Sequence, residues 1–138
     1  MREIKFRAWH KLKKKMMQVL SIELDPEFGG VEVWGKSSVS FETGEHESER
    51  DFWAWEDCEE MQLIGRKDKQ GKEIYEDDIL GLDDPEDHSR ALVVFDQGAF
   101  KVKLFRILHT PIYDAYWDSW IVIGNKYEHP ELMEGYIP

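Results

Sequence analysis

The sequence has little of several features that would assign it to a common class of protein. It contains one cysteine, Cys58, so it cannot form an internal disulfide or, by itself, a thiolate metal site. No apolar run approaches the roughly 18 residues that a membrane-spanning helix needs. Charged residues stand at the start of the chain, where a signal peptide has its apolar stretch. We therefore expect a cytoplasmic protein that does not associate with a membrane.

The sequence also lacks the patterns that carry common catalytic chemistry. Its five histidines are isolated from one another, without the close His or Cys pairs of zinc sites. Gly29 and Gly30 are not followed by the Lys and Ser/Thr of a nucleotide-binding loop. Acidic neighbours disfavour the thiolate of Cys58, which we interpret as inert. His88, in an acidic loop, is the best candidate for a weak divalent-cation site, but such loops are usually just solvated. The sequence predicts no catalytic residue, no cofactor and no metal site.

Charge is unevenly distributed along the 138 residues. The net charge is −11, yet residues 1–15 carry seven cationic side chains against Glu3 alone, a local +6 that leaves −17 on the rest. General binding to a phosphate backbone needs a broad basic surface, which this sequence lacks. We interpret the basic run as a solvated turn between two strands. The alternative is a local nucleic-acid contact through Lys11, Lys13, Lys14 and Lys15.

Alternating apolar and polar residues predict short β-strands in the N-terminal part. The stretch "EIKFRAW" has a period of two, and after the lysine run "VLSIEL" places Leu20, Ile22 and Leu24 on one face. Together these segments predict a hairpin. The stretch "DPEFGG" is dense in turn-forming residues and leads into a further strand, "VEVWG".

The middle of the chain is acidic and has no clean period. Residues 42–60 contain nine acidic side chains against Arg50 alone. We interpret this segment as a junction between two halves of the protein. It is either an exposed loop followed by a strand, or a short helix near "DCEEMQL", where acidic residues would suit a helix beginning.

Two tight turns predict hairpins in the second half. Asp68 and Gly71 occupy the first and fourth positions of a type I turn, and Gly71 is free to adopt a positive φ angle. Asp96, Gln97 and Gly98 form a second tight turn between the β-prone runs "ALVVF" and "AFKVKLF".

The stretch "KEIYEDDIL" raises the question of an acidic active site, because four carboxylates fall within six positions. On an extended strand Glu73 and Asp77 face one way, and Glu76 and Asp78 face the other. This division argues against a metal-binding or acid–base cluster. We interpret residues 76–78 as an exposed turn before the chain enters a core.

The expected fold is therefore mainly β, with short antiparallel strands and hairpins and one or two short helical turns. Pro130 suits the first position of such a turn and Gly135 its end. We expect an N-terminal β subdomain with the acidic junction over residues 1–60, and a C-terminal barrel-like β subdomain over residues 61–138. The block "IYEDDIL" is similar to the acidic turn of small SH3-like barrels.

Four blocks of the sequence resemble the YopX family of phage and prophage proteins. They are "REIKFRAWHKLKKKM", "LIGRKDKQGKEIYEDDIL", "VVFDQGAFKV" and "VIGNKYEHPELM", which run in order over residues 2–133. Asp77 and His129 depart from the family pattern, which has Gly and Asn there. The resemblance implies a largely β protein, encoded by a bacteriophage or prophage and acting in a bacterial host cell. The family's biochemical role is not established, so no catalytic residue carries over.

The stretch "PIYDAYWDSW" is the strongest functional candidate, through Tyr113, Tyr116, Trp117 and Trp120. On a helix these aromatic side chains would form one stripe. Core packing or a covered sheet edge is the alternative interpretation. If exposed, they suit a protein interface, and short strands with many edges commonly form symmetric oligomers.

Our leading hypothesis is a non-enzymatic phage accessory protein, which self-assembles and binds a host or phage protein. One alternative is a nucleic-acid-binding protein that uses the basic N-terminal segment. Another is an acidic mimic of DNA that occupies a host DNA-binding protein.

Overall fold

The computed structural model describes residues 3–39, 46–84, 86, 88–106 and 119–136. The strands in these ranges are β1 Phe6–His10, β2 Lys15–Glu23, β3 Gly30–Val39, β4 His46–Ala54, β5 Cys58–Lys67, β6 Glu73–Tyr75, β7 Asp78–Gly81, β8 Arg90–Asp96, β9 Ala99–Arg106 and β10 Ile121–Asn125. Short 3-10 turns occupy Trp55–Asp57 and Pro130–Met133. The prediction of a mainly β protein with short helical turns is confirmed. None of the helices in the described ranges is long and apolar enough to cross a lipid bilayer.

Packing divides the chain into two units. The first unit is Lys5–Met61, and the second combines Met1–Ile4 with Gln62–Pro138. In the first unit β4, β3, β2 and β1 lie side by side in that order, and the first residues of β5 follow β1. In the second unit the last residues of β5 pair with β6, and a separate sheet has the order β10-β7-β8-β9.

The described strands do not close into the predicted SH3-like barrel. β10 pairs with β7, and β9 pairs with β8, so β9 and β10 stand at opposite edges of an open four-stranded sheet. A closed barrel requires the two outer strands to pair with each other. The acidic turn before β7 therefore leads into an open sheet.

A β-bulge in β2 decides which side chains enter the core of the first unit. Val19 pairs with Val33 and Ser21 pairs with Glu32, which leaves Leu20 as the extra residue. Because one added residue reverses the alternation, Val19 and Ile22 both pack against the core while Leu20 is half exposed. The predicted face of Leu20, Ile22 and Leu24 is therefore wrong.

The described part of the acidic junction, residues 46–60, consists of strands and one 3-10 turn, so the helix alternative near "DCEEMQL" is wrong. The "FWAW" stretch belongs to β4 and the following 3-10 turn, after which β5 begins at Cys58. Met61 and Leu63 are buried on β5 with a period of two. Burial of this face within a sheet outweighs the preference of acidic residues for a helix beginning.

The predicted turns of the second unit are confirmed. The Gly71 N–H donates to the Asp68 carbonyl oxygen at 3.0 Å, and Gly71 has a φ of 83°. Gln97 and Gly98 have φ angles of 50° and 80°, as a two-residue type I′ hairpin requires. At the other end of this unit, Pro130 begins a 3-10 turn and Gly135 follows it at a φ of 92°.

Asp68 joins the β5–β6 turn to β10. Its Oδ1 accepts hydrogen bonds from the N–H groups of Gln70 and Lys72, both at 2.8 Å, and its Oδ2 accepts one from the Val122 N–H at 2.9 Å. Burial alone would raise the pKa of Asp68, but the three donors outweigh burial and hold its pKa below the ordinary value. The buried carboxylate is therefore fully paired and ionised at neutral pH.

Replacing Trp120 by alanine should destabilise the protein by about 3–5 kcal/mol, because a large side chain leaves a cavity in the core of the second unit. The control Leu24→Ala removes an exposed side chain and should change the free energy of unfolding by less than about 0.5 kcal/mol. Urea unfolding followed by circular dichroism measures both. Equal effects would contradict the assignment of Trp120 to the core.

Asp68→Asn should lower the free energy of unfolding by about 2 kcal/mol at neutral pH, because one N–H donor loses its acceptor. The folded pKa of Asp68 is depressed, so its stabilising contribution is present above the ordinary value of 3.8 and is lost as the pH falls through the folded pKa. Unfolding of both proteins between about pH 3 and 7 measures the difference. The control Asp83→Asn removes an exposed carboxylate 3.6 Å from Lys69 and should have little effect. A difference that persisted unchanged down to the lowest pH would contradict this role.

Candidate functional site

The β2–β3 loop, residues 24–29, holds two large apolar side chains in solvent. Leu24 is 79% exposed and Phe28 is 77% exposed. Single exposed apolar residues are common on protein surfaces, so exposure alone does not define a site. What distinguishes this pair is the number of hydrogen bonds that fix the backbone around it.

The carboxylate of Asp25 organises the loop from within. Its Oδ1 accepts hydrogen bonds from the N–H groups of Phe28 and Glu27, both at 2.9 Å. These two bonds hold the pKa of Asp25 below its ordinary value, so the side chain is ionised at neutral pH. The Gly29 N–H also donates to the Asp25 carbonyl oxygen at 2.8 Å. Asp and Gly are placed in the sequence "DPEFGG" where such a turn needs them.

Trp55 anchors the loop to the 3-10 turn that follows β4. Its indole Nε1–H donates to the Asp25 carbonyl oxygen at 3.2 Å, and its backbone N–H donates to the Gly29 carbonyl oxygen at 3.3 Å. Gly29 lies so close to the carbonyl oxygens of Glu23 and Asp25 that a Cβ there would overlap them. The loop is therefore fixed before any partner arrives, which lowers the entropic cost of binding.

The exposed apolar pair is flanked in sequence by acidic residues. Glu23, Asp25 and Glu27 all lie in or next to the loop, and residues 16–31 contain no Lys or Arg. The Glu23 carboxylate turns toward the loop, since its Oε1 lies 3.4 Å from the Asp25 backbone nitrogen. We call Leu24, Phe28 and these three carboxylates the loop surface.

The predicted nucleic-acid contact lies in the β1–β2 turn, where three of its four lysines have acidic partners in the first unit. Lys13 Nζ donates to Asp51 Oδ2 at 2.6 Å, and Lys15 Nζ lies 3.0 Å from Glu49 Oε2, both on β4. The hydrogen bond raises the pKa of Lys13 and lowers that of Asp51. The third pair is Lys11 and Glu59, at 3.4 Å.

The Lys13–Asp51 and Lys15–Glu49 pairs tie the β1–β2 turn to β4, the outer strand of the same sheet. The His10 ring also meets the Trp53 ring edge to face, with centroids 5.0 Å apart. The sheet of the first unit must therefore curl, so that β1 and β4 approach each other over the core. The lysines form an exposed turn, as predicted, and the ammonium groups of Lys11, Lys13 and Lys15 lie close to neighbouring carboxylates.

The predicted aromatic interface is described at Trp120 alone. Trp120 is 2% exposed and packs in the core of the second unit, beside Ile74, Leu80, Ala91 and Val93. Its placement agrees with the core-packing interpretation of that residue. Tyr113, Tyr116 and Trp117 lie outside the described residues.

The acidic residues of the β6–β7 turn each accept a structural hydrogen bond. Glu76 Oε1 accepts from the Gln62 N–H at 2.9 Å, and Asp78 Oδ2 accepts from the Tyr75 N–H at 2.8 Å. Asp77 takes a φ of 64°, and its Oδ2 accepts from the Tyr127 hydroxyl at 3.1 Å. The interpretation of residues 76–78 as an exposed turn is wrong for Asp78, which is fully buried. Burial of this carboxylate is possible because it accepts the hydrogen bond from the Tyr75 N–H.

The remaining reactive side chains do not assemble into a site in the described ranges. Cys58 is buried, and burial together with acidic neighbours raises the pKa of its thiol to about 11, as the interpretation of an inert thiol requires. His88 and Asp84 line a surface cavity of about 190 Å³ with Ser89 and Arg90. Within the described residues, no three His, Cys, Asp or Glu side chains are grouped so as to hold a metal ion.

Sequence reasoning missed the loop surface. It recognised "DPEFGG" as a turn and placed Leu24 on one strand face with Leu20 and Ile22. The available signal was Phe28, a large aromatic residue between two acidic residues and two glycines in a segment of turn formers. The bulge at Leu20, which shifts the register before Leu24, has no comparable local signal.

Gly29→Ala should destabilise the first unit by about 1–3 kcal/mol, because the added methyl group overlaps backbone atoms that cannot move aside easily. Gly35→Ala is the control, since a Cβ there meets only the flexible Met17 side chain at 3.1 Å. Thermal unfolding compares the two variants, and a loss as large at Gly35 would contradict the tight packing of the loop.

Residues 5–134 match the family model of the YopX protein. The crystal structure of protein EF1440 from Enterococcus faecalis is similar at 28% identity and a TM-score of 0.66, over 97% of this chain and 100% of that chain. Protein yopX from Bacillus subtilis has a similar fold at 20% identity and a TM-score of 0.53, over 96% and 98% of the two chains. No curated protein matches the sequence. Because the family model spans nearly the whole chain, this protein belongs to the YopX family.

Proposed function

We propose that this YopX protein is a non-enzymatic accessory protein of a bacteriophage or prophage, which self-assembles and binds another protein. Its two β units, Lys5–Met61 and Met1–Ile4 with Gln62–Pro138, serve as the scaffold. The carrying observation is the loop surface, where a preformed loop keeps Leu24 and Phe28 in water. Large apolar anchors on a rigid support are typical of protein-binding sites.

The hydrogen bonding and burial of the reactive side chains support a binding role over a catalytic one. Asp68, Asp77 and Asp78 each accept hydrogen bonds from other parts of the fold, and the Cys58 thiol is buried with a raised pKa. A general base or nucleophile needs a side chain that can reach a substrate.

The edge strand β4 supports self-assembly. Among the described strands β4 pairs with β3 alone, so its other side offers backbone groups to a second copy. Glu49 and Asp51 on this strand are partly neutralised by Lys15 and Lys13. Like-charge repulsion between two β4 strands is reduced accordingly, and a symmetric dimer is the simplest product.

Phe52 provides a test of assembly through β4, because it is 51% exposed on that strand. Size-exclusion chromatography with light scattering should find the wild-type protein as a dimer or larger. Phe52→Glu should raise the dissociation constant of the dimer at least tenfold, since it places a charge in the interface. Phe95→Glu is the matched control, because Phe95 is 56% exposed on β8, away from β4 in sequence and sheet. A strictly monomeric wild-type protein would rule out self-assembly.

A further inference from the structure

We propose that the loop surface binds a basic protein segment whose apolar side chains cover Leu24 and Phe28 and whose Lys or Arg side chains meet Glu23, Asp25 and Glu27. This inference rests on the proposed function and adds the chemistry of the partner. It concerns the first unit alone.

The apolar part of the loop surface provides the anchor. Leu24 and Phe28 lie four positions apart on a loop that Asp25 and Trp55 hold in place. Because the backbone is already ordered, covering both side chains favours binding without the entropic cost of ordering the loop. A pair of this kind suits a short segment with apolar side chains of its own.

The charge of the loop surface selects among partners. Three carboxylates flank the two apolar residues, and the absence of Lys and Arg from residues 16–31 leaves this stretch without a cation of its own. Asp25 is ionised at neutral pH, and the two backbone N–H groups that bind its carboxylate lower its pKa further. A basic segment gains from this field, whereas a nucleic acid or an anionic membrane is repelled by it.

A second copy of this chain is a poor occupant for the same reason. Two loop surfaces brought together would place six carboxylates around four apolar side chains. Like-charge juxtaposition of this kind disfavours the wrong partner. The loop surface and the β4 edge therefore serve different partners.

The test is a selection from a library of random 12-residue peptides displayed on yeast. Peptides are enriched on the wild-type protein and depleted on the Phe28→Ser variant, which should fold normally because Phe28 is exposed. Circular dichroism and thermal unfolding verify the fold of each variant. Fluorescence anisotropy then gives dissociation constants for the synthesised peptides.

We expect the selected peptides to combine a net positive charge with apolar residues. Phe28→Ser and Leu24→Ser should each weaken their binding at least tenfold. The double variant Glu23→Gln, Glu27→Gln should weaken it about three- to tenfold at low salt, and less at high salt because ions screen the attraction. Phe95→Ser, on the second unit, should leave binding unchanged.

The outcomes separate this inference from the proposed function. Phe28-dependent peptides without positive charge would overturn the basic partner and leave a protein-binding loop standing. The absence of any Phe28-dependent peptide would count against the loop as a binding site altogether. Conversion of the wild-type oligomer to a monomer by Phe28→Ser would show that a second copy occupies the loop, which also overturns the inference.

Discussion

Turns in both units depend on side-chain oxygens that accept hydrogen bonds from backbone N–H groups. A protein of short strands has many turns, and a backbone donor left unpaired is costly wherever water cannot reach it. Among the described residues, such acceptors include Asp25, Asp68, Glu76, Asp78, Asp84 and Asn125. Part of the acidic composition of the chain therefore has a structural cause. Within the stretch that looks like a catalytic cluster in the sequence, Glu76 and Asp78 accept hydrogen bonds from backbone N–H groups, and Asp77 accepts one from the Tyr127 hydroxyl.

The uneven charge of the chain acts within the first unit. The lysine run contacts the acidic strand β4 through Lys13 with Asp51 and Lys15 with Glu49. Such exposed pairs add little stability individually, because water and salt screen them. Their main effect is to direct positive charge toward the protein's own carboxylates. The loop surface, by contrast, has no Lys or Arg near it in sequence to balance Glu23, Asp25 and Glu27. The lysine-rich turn therefore lies against carboxylates of opposite charge, whereas the loop surface has no Lys or Arg near it in sequence.

Features set by a few neighbouring residues could be predicted from the sequence. The turns at Gly71 and Gly98 follow from local chemistry, because positive φ angles favour glycine. The bulge at Leu20 could not be predicted, since a one-residue insertion depends on how β2 meets β3. The open sheet depends on β10 pairing with β7, which lies some 40 positions earlier in the chain. The burial of Asp78 likewise depends on its hydrogen bond from the Tyr75 N–H. The alternation of side chains between the two faces of a strand does not reveal such a bond.

The burial of Cys58 has a practical consequence for work on this protein. Its thiol is shielded and its pKa is raised to about 11, so thiolate-directed reagents should react with it very slowly at neutral pH. A cysteine introduced at an exposed position would then be the one reactive thiol of the 138-residue chain. Fluorophores, spin labels and crosslinkers could be attached at chosen positions without first removing the native cysteine.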